Sequence, residues 1–420
     1  MLHFADLHLG MENYGRIDPE TGMHSRLSDF LRSFDELVDF ALAPDPVIPV
    51  PDRVGDDGDR GRGRAGPVDL ALFAGDVYRT RDPSPTHQRE FAKRIRRLRE
   101  AGIPVFLLVG NHDLPNSSGR AHSIEIFETL AVEGVIIADY PRVHRIETRG
   151  GPVQIVALPW VLRSMMLTRD EFKNLSLPEL NNQMLAKVAN VLDHLIAELN
   201  PAEPAVLAAH GTVQGASFGS ERSVMLGSDL ILPPGLVGNR AFDYVALGHI
   251  HKHQVLGQQP PVVYAGSLDR IDFGEEHEDK GFVLVELNGR AARWEFIKVH
   301  GRPFVTIHAK AESDDPTLDV LAAIARQPIE GAIVRLQIQV PLEKAGLLRD
   351  ADIRQALKPA WTIATINKEV EEPDRVRLGG GRVEGLTPRE ALARYLAEKQ
   401  APPEHAQRLL ERAEVIFIEE

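Results

Sequence analysis

The sequence contains no cysteine. This absence excludes disulfide bonds and every metal site built on thiolates. A transition metal bound by this chain would therefore be held by nitrogen and oxygen atoms of His, Asp, Glu and Asn side chains.

Apolar runs long enough to cross a membrane are missing as well. No stretch reaches the roughly 18 to 20 consecutive apolar residues of a membrane helix, and the N-terminus lacks the basic and apolar regions of a secretory signal. Hydrophobic residues make up 43% of the 420 positions, which is typical of a globular protein. We expect a cytoplasmic protein of two or three domains with no membrane association.

Positive charge is in deficit. The net charge of −13 argues against a protein that coats nucleic acids through bulk attraction. A local basic surface is still compatible with this total. Two interpretations, a solvated helix face and a contact with DNA, are open for the cluster formed by Arg94, Arg96, Arg97 and Arg99.

Short apolar runs alternate with amphipathic segments along the first 300 residues. Apolar residues at three-to-four spacing predict helices over 24–42 and about 86–101. Short runs predict strands over 2–5, 69–74, 105–109, 135–138, 153–158, 205–209 and 244–247, and a hairpin turns at Asn288-Gly289. The alternation predicts an α/β layered core with its chemistry at the strand ends.

Two histidines two residues apart occur in Gly248-His249-Ile250-His251, directly after a predicted strand. Such a pair is typical of a metal site. Side chains two apart at a strand end point the same way, so Asp6 and His8 can also bind one ion. The complete set of candidate ligands is Asp6, His8, Asp76, Asn111, His210, His249 and His251.

Seven such donors predict two ions about 3.5 to 4 Å apart, bridged by the Asp76 carboxylate. Mixed imidazole, carboxylate and amide ligands favour manganese or iron over magnesium. Two ions so placed activate a water and clamp a phosphate, which predicts phosphoester hydrolysis. The predicted ligand sets are Asp6, His8, Asp76 and His251 for one ion, and Asp76, Asn111, His210 and His249 for the other.

The remaining segments differ in composition. Residues 44–67 are rich in Pro, Gly, Asp and Arg, and we predict a mobile insertion there. Residues 301–370 predict a small β-α-β-α-β domain, followed by a linker at 371–385. Two short helices are predicted in 386–420, where Thr387 and Glu390 form a capping box. This tail would fold back on the body or dock on a partner.

Five motifs in this order resemble those of the calcineurin-like metallophosphoesterases. Stretches around 242–251, 264–268 and 280–286 are further similar to the SbcD family, the nuclease subunits of bacterial SbcCD complexes. The motifs are Asp6-Leu7-His8, Gly75-Asp76, Gly110-Asn111-His112-Asp113, His210-Gly211 and Gly248-His249-Ile250-His251.

The resemblance implies a four-layer fold over 1–300, in which helices flank a sandwich of two sheets. It further implies a capping domain over 301–370 that touches DNA, and a tail over 386–420 that binds the coiled-coil base of an SbcC-type ATPase. Subunits of this kind pair as a homodimer within a heterotetramer. The helix residues Phe91, Ile95 and Leu98 are candidates for the dimer seam.

The activity implied is that of a hydrolase with two Mn²⁺, for which Fe²⁺ or Mg²⁺ would be less suitable. It would act at the nucleoid as an exonuclease on duplex DNA ends and as an endonuclease on single strands or hairpins, in DNA repair, recombination and replication. His112 would stabilise the transition state or protonate the leaving oxygen. The alternative is a phosphodiesterase or phosphatase acting on nucleotides or small phosphoesters.

One position departs from the family pattern. Relatives commonly carry Asp or His three residues after the bridging aspartate, where this chain has Arg79. Arginine cannot accept a hydrogen bond from an imidazole. Either Arg79 points outward and another acceptor such as Asp113 holds His112, or Arg79 contacts a DNA phosphate.

Overall fold

The computed structural model describes residues 1–43, 67–115, 120–161, 175–219, 229–371, 387–399 and 402–417. The predicted insertion at 44–67 and the predicted linker at 371–385 lie almost entirely outside these ranges. No helix within them combines the length and the apolarity that a membrane crossing requires.

Two six-stranded sheets carry the fold. The first is built from β1 (Leu2–Phe4), β2 (Ala71–Phe73), β3 (Val105–Leu108), β4 (Val135–Ala138), β13 (Gly281–Asn288) and β14 (Ala291–Lys298), in the order β14-β13-β1-β2-β3-β4. The second is built from β5 (Arg142–Thr148), β6 (Gly151–Leu158), β7 (Ala205–His210), β10 (Tyr244–Gly248), β11 (Gln254–Gln258) and β12 (Pro261–Tyr264), in the order β11-β12-β10-β7-β6-β5. A two-stranded sheet pairs β8 (Thr212–Val213) with β9 (Ile231–Leu232).

The central strands are apolar on both faces because both faces are covered. In β2, Phe73 packs against the helices α1 (Ser25–Leu42) and α2 (Pro85–Glu100), whereas Leu72 packs between the two sheets. The outer face of the second sheet is covered by the helix α4 (Leu177–Ala197). The predicted four-layer α/β fold is therefore confirmed.

Parallel pairing brings the strand ends together. β1, β2, β3 and β4 run parallel, as do β6, β7, β10 and β12. Parallel strands place their carboxyl ends at one edge of a sheet. The candidate ligand motifs follow β1, β2, β3 and β10, and His210 is the last residue of β7, so the sheet topology brings them together.

The chain forms two compact units. The first consists of Met1–Thr306, Pro328–Arg335 and Pro359–Ala364, and the second of Ile307–Gln327, Leu336–Lys358 and the described residues from Thr365 onward. The elements that follow are β15 (Phe304–Lys310), α6 (Pro316–Ala325), β16 (Ile333–Pro341), α7 (Leu342–Ala345), α8 (Asp350–Ala356) and β17 (Thr362–Glu371). This order contains the five predicted elements and one further short helix, α7. The predicted tail helices are α9 (Pro388–Glu398) and α10 (Pro403–Phe417). Short helices complete the described residues at α3 (Ile126–Thr129), α5 (Pro234–Val237) and the 3-10 turn Phe273–Glu275.

The apolar face of α2 is part of the interior. Phe91, Ile95 and Leu98 are at most 1% exposed and pack in the core between α1 and the first sheet. A buried side chain cannot form a subunit contact, so the prediction that these residues make a dimer seam is wrong.

The arginines of α2 are engaged with acids and carbonyls. Arg94 pairs with Glu90 and Asp35, and Arg97 pairs with Asp35 and Asp39. Arg96 pairs with Glu100, and Arg99 donates to the Glu133 carbonyl. Of these four arginines Arg96 is exposed, Arg97 and Arg99 are half-buried and Arg94 is buried. The solvated-face interpretation therefore fits Arg96 and is wrong for Arg94.

Candidate metal centre and active site

The candidate ligands lie in sharp turns of the backbone. Asp6, His8, Asp76 and His249 have positive φ angles of 53°, 43°, 65° and 99°. Left-handed backbone costs a non-glycine residue about 1 to 3 kcal/mol and persists only where surrounding structure enforces it. Gly110 allows the turns to approach, because a methyl group there would lie 2.2 Å from Asp76 Oδ1.

One donor group consists of Asp6, His8 and His251. The Nε2 atoms of the two histidines are 3.0 Å apart. At this separation both nitrogens could bind one ion. The Asp6 carboxylate lies in the same group, and both its oxygens accept the His249 backbone N–H at 3.0 Å.

A second donor group consists of Asp76, His210 and His249, and a third, made of His8, Asp76 and His112, overlaps both. His210 donates its Nδ1 proton to the Ala74 carbonyl at 2.7 Å, so its Nε2 atom faces the site. That atom lies 3.0 Å from Asn111 Oδ1 and 3.4 Å from Asp76 Oδ2. Asn111 Oδ1 is also 3.1 Å from His249 Nδ1.

Asp76 belongs to the second group and lies next to the first. Its Oδ2 atom is 3.4 Å from His210 Nε2 and 3.8 Å from His8 Nε2, and its Oδ1 atom accepts the His112 backbone N–H at 2.8 Å. The structure therefore brings all seven candidate ligands together, with the predicted bridging carboxylate between the two sets. The assignment of ligands to ions stays a prediction.

The buried carboxylates of the cluster are stabilised by positive charge. Burial alone would lower the pKa of His210, but Asp76 and its hydrogen bond raise that pKa to about 9. Burial raises the pKa of Asp6 to about 7, against the opposing charges of His210 and His251. A divalent cation bound by these nitrogen and oxygen donors would supply the charge that a proton on His210 otherwise supplies, so the donor set fits such ions.

Two carboxylates that are not among the predicted site residues lie within hydrogen-bond distance of ring nitrogens of His251 and His249. Glu275 Oε1 is 2.9 Å from His251 Nδ1, and Asp229 Oδ2 is 3.1 Å from His249 Nε2. Each bond leaves the other ring nitrogen directed at the ligand cluster. The Trp160 ring packs 4.8 Å from the His249 ring and adds an apolar wall.

His112 lies at the rim of the cluster, with its ring 4.9 Å from the ring of His8. Its Nδ1 atom is 2.7 Å from the backbone carbonyl of Arg79. A carbonyl only accepts, so Nδ1 carries the proton and Nε2 is the atom available for proton transfer. The side chain at position 79 is therefore not needed to orient His112, because the backbone does so.

Asp113 has a different role from the one suggested above. Its carboxylate accepts the backbone N–H groups of Asp76, Val77 and Gly110 at 3.0 to 3.1 Å and does not bond His112, so the suggestion that it holds the histidine is wrong. Burial and the charge of Asp76 raise the pKa of Asp113 to about 6. Asp113 fixes the turns that present the ligands.

An open cavity of about 320 Å³ lies against this rim. The Arg79 side chain directs Nη1 to Met11 Sδ at 2.6 Å, beside the cavity. The residues that line the cavity are Arg79, Thr80, Arg81, Asp82, Asn111 and His112.

Comparison with known proteins agrees with this geometry. The family described as calcineurin-like phosphoesterase matches residues 1–253. The chain is 27% identical over 341 residues to "DNA double-strand break repair protein Mre11" of Haloferax volcanii, covering 81% of this chain and 61% of that protein. It is 29% identical over 277 residues to SbcD, a subunit of the nuclease SbcCD, from Rhodobacter capsulatus, covering 62% and 66%.

A third relative is "Uncharacterized metallophosphoesterase YhaO" of Bacillus subtilis, 26% identical over 301 residues, with 71% of this chain and 60% of that protein covered. The chain thus spans about three fifths to two thirds of the length of these relatives. The family match extends over more than half of the chain and includes every candidate ligand. This chain belongs to the calcineurin-like phosphoesterase family.

Proposed function

We propose that this protein is a manganese-dependent DNA nuclease that hydrolyses phosphodiester bonds at duplex ends. The observation that carries the proposal is the pair of buried donor groups that meet at Asp76, with His112 beside them. The printed names of two relatives, a double-strand break repair protein and a component of a nuclease, support DNA as the substrate. The donor types support Mn²⁺ over Mg²⁺.

Two ions held by the two ligand sets would supply a hydroxide nucleophile and neutralise charge on the phosphate. His112 is the residue we assign to the leaving group. Its Nδ1 proton is bonded to the Arg79 carbonyl, so the acid is the imidazolium form, which carries a second proton on Nε2. That proton passes to the leaving oxygen and leaves the neutral Nδ1–H ring. Asp113 keeps the turn before His112 in place through the Gly110 amide.

The test of this role is His112→Gln. We expect the cleavage rate of linear duplex DNA to fall by about 10²- to 10⁴-fold, because a positioned acid contributes that much. The affinity for Mn²⁺, measured by calorimetry, should change far less than the cleavage rate, because all seven candidate ligands are kept. His194→Gln is the matched control, since that side chain is 81% exposed on α4. A His112→Gln enzyme that cleaves at the wild-type rate would contradict the assignment.

We also assign Arg79 to a phosphate of the DNA. Its guanidinium lies at the cavity next to His112 and contacts a thioether, which is a weak acceptor. Arg79→Ala should weaken DNA binding and reduce the slope of log affinity against log salt by about 1. Arg96→Ala, with a side chain 71% exposed on α2, is the control. If DNA affinity and cleavage rate are unchanged in Arg79→Ala, the contact does not exist.

A second candidate function is hydrolysis of nucleotides or other small phosphoesters. The donor groups serve this reaction equally well, and one relative is named only as a metallophosphoesterase. Linear duplex DNA and a small phosphodiester, each incubated with Mn²⁺, separate the two. Hydrolysis of the small ester without cleavage of DNA would favour the second candidate.

The partner we propose is an SbcC-type coiled-coil ATPase, bound by α9 and α10. We also propose that the protein acts as a homodimer and that residues 301–370 contact DNA. Tyr395 and Leu409 on these helices are 49% and 38% exposed, which supports a docking face. Deletion of residues 386–420 should abolish co-purification of the ATPase. The deletion should also leave Mn²⁺-dependent hydrolysis of a small phosphodiester intact. Co-purification that survives the deletion would refute the docking role.

A further inference from the structure

The short 3-10 turn Phe273–Glu275 lies behind His251. Glu275 has no exposed surface, and its Oε1 atom is 2.9 Å from His251 Nδ1. A carboxylate taken out of water in this way needs partners that satisfy both oxygens. The identity of those partners decides what the carboxylate can do for the histidine.

The second oxygen, Oε2, is held by two donors. It accepts the backbone N–H of Ile271 at 2.9 Å and an N–H of Lys280 Nζ at 2.9 Å. The Lys280 side chain is 1% exposed, and its Nζ also donates to the His251 carbonyl at 3.0 Å and to Glu278 at 2.9 Å. Lys280 therefore binds both the carboxylate and the backbone of the histidine that the carboxylate holds.

The other oxygen, Oε1, lies against the His251 ring. A carboxylate only accepts, so the bond to His251 requires the proton to lie on Nδ1. The unprotonated Nε2 atom then faces His8 Nε2 at 3.0 Å, inside the first donor group. An imidazole binds a metal ion through an unprotonated nitrogen, so this is the tautomer that a ligand needs.

We propose that Glu275, held by Lys280, is a positioning residue that fixes the tautomer and ring orientation of His251 for ion binding. This inference rests on the metal-dependent function proposed above. Neither residue is a candidate ligand, and both lie beyond residues 1–253, which the family match covers. Metal-ligating histidines are commonly oriented by such an acceptor.

The substitution that isolates this role is Glu275→Gln. An amide has one accepting oxygen, and both Ile271 N–H and Lys280 are donors at the Oε2 position. The amide oxygen will therefore take that position and turn its NH₂ group toward His251. The histidine must then accept at Nδ1 and carry its proton on Nε2, where it opposes ion binding.

The first measurement is the affinity for Mn²⁺ of the full chain, by calorimetry. We expect Glu275→Gln to weaken binding by about 10- to 100-fold, which is typical of losing such a partner. Glu278→Gln is the matched control, because Glu278 contacts the same Lys280 Nζ but not the His251 ring. Its affinity should equal that of wild type. Equal losses in both variants would mean that acidic charge near Lys280, and not orientation of His251, sets the affinity.

The second measurement reads the tautomer directly. In metal-free protein labelled with ¹⁵N-histidine, at about pH 8 and so above the ordinary pKa of histidine, the ring nitrogen shifts distinguish Nδ1–H from Nε2–H. The signals of His251 are those that a His251→Gln spectrum lacks. We expect Nδ1–H in wild type and Nε2–H in Glu275→Gln.

The outcomes separate this inference from the proposed function. A wild-type chain that binds no Mn²⁺ would overturn the metal-dependent function. A wild type that binds Mn²⁺, with Glu275→Gln binding equally well and keeping Nδ1–H, would overturn the positioning role alone. The wild-type spectrum is a test even if the variant fails to fold, because an Nε2–H tautomer there contradicts the proposal.

Discussion

Asp113 joins turns of the site that are distant in sequence. Its carboxylate accepts the amides of Asp76 and Gly110 on one oxygen, and Val77 N–H and the Ser123 hydroxyl on the other. It is completely buried. Because one buried side chain satisfies three backbone donors, its loss should affect the stability of the whole first unit.

Asp113→Asn places an NH₂ group against backbone N–H donors. We expect the free energy of unfolding to fall by about 2 to 4 kcal/mol, since buried donors lose their acceptor. Urea denaturation measures it. Ser123→Ala, which removes one weaker bond of 3.3 Å, should cost about 1 kcal/mol. Equal stability of the two variants would show that the hydrogen bonds from these backbone amides to Asp113 do not stabilise the fold.

His210 should make the stability of the metal-free protein depend on pH. Its pKa is raised from 6.5 to about 9, so the folded state holds a proton that the unfolded state releases. The stabilisation is complete below pH 6.5 and is lost as the pH rises to about 9, by up to about 3 kcal/mol. Urea denaturation with a chelator, between these two pH values, measures it. His210→Gln should flatten this part of the profile, and an equally steep loss in that variant would rule His210 out as its cause.

The seven candidate ligands could be predicted because each ends or follows an apolar strand within a short motif. Glu275 and Asp229 could not, because each lies at least 20 residues from the histidine it holds and in a segment without a periodic pattern. The hydrogen-bond acceptor for His112 could not be predicted either, because it is the backbone carbonyl of Arg79 and does not depend on the side chain at that position.

At the scale of elements, α1 and α2 were predictable within a residue or two, because their apolar faces repeat every three to four residues. What such a face packs against was not predictable. The face of α2 could equally have met a second subunit or the sheet, and the structure places it on the sheet.

The helix α4 was not predicted, although its buried residues follow the same spacing and Glu179 accepts the N–H of Ser176 at its start. The apolar spacing and the capping residues that predict this helix are present in the sequence. The strand β5 is different, because polar residues such as Arg142, His144 and Arg145 hide an edge strand from a search for apolar runs.

The packing of α2 gives a prediction at this scale. The Phe91 ring contacts the rings of Phe34, Phe73, Tyr78 and Phe127. Phe91→Ala should lower the free energy of unfolding by about 3 to 5 kcal/mol, through lost burial and the cavity left behind. Urea denaturation at several protein concentrations measures it. The loss should not depend on concentration, and a loss confined to dilute protein would restore Phe91 to a subunit contact.

At the scale of the molecule, the first unit is not a continuous piece of chain. It includes Pro328–Arg335 and Pro359–Ala364, which lie beyond the domain boundary predicted at residue 300. Phe273 packs with Phe304 and Ile333, with Trp361 beside them. The sequence placed the change of pattern at Gly301 but could not show that later strands return to this core.

A truncation tests this arrangement. The fragment 1–300 lacks the partners of Phe273 and the two hydrogen bonds from Arg302 to Asp29 at 2.6 and 2.7 Å. We expect it to melt at a lower temperature than the fragment 1–371 and to aggregate, because it exposes apolar surface and a buried carboxylate. Calorimetric scans of both fragments measure this. Identical melting temperatures would show that the later strands add nothing to the first unit.

The turn that contains Glu275 also has a mechanical consequence. Glu275 orients the His251 imidazole, and its neighbour Glu276 accepts the N–H of Thr306, near the start of β15, at 2.7 Å. Adjacent Cα atoms are held about 3.8 Å apart by a planar peptide. A displacement of the start of β15 is therefore transmitted to the His251 imidazole through the Glu276 side chain, the peptide between Glu275 and Glu276, and the Glu275 side chain.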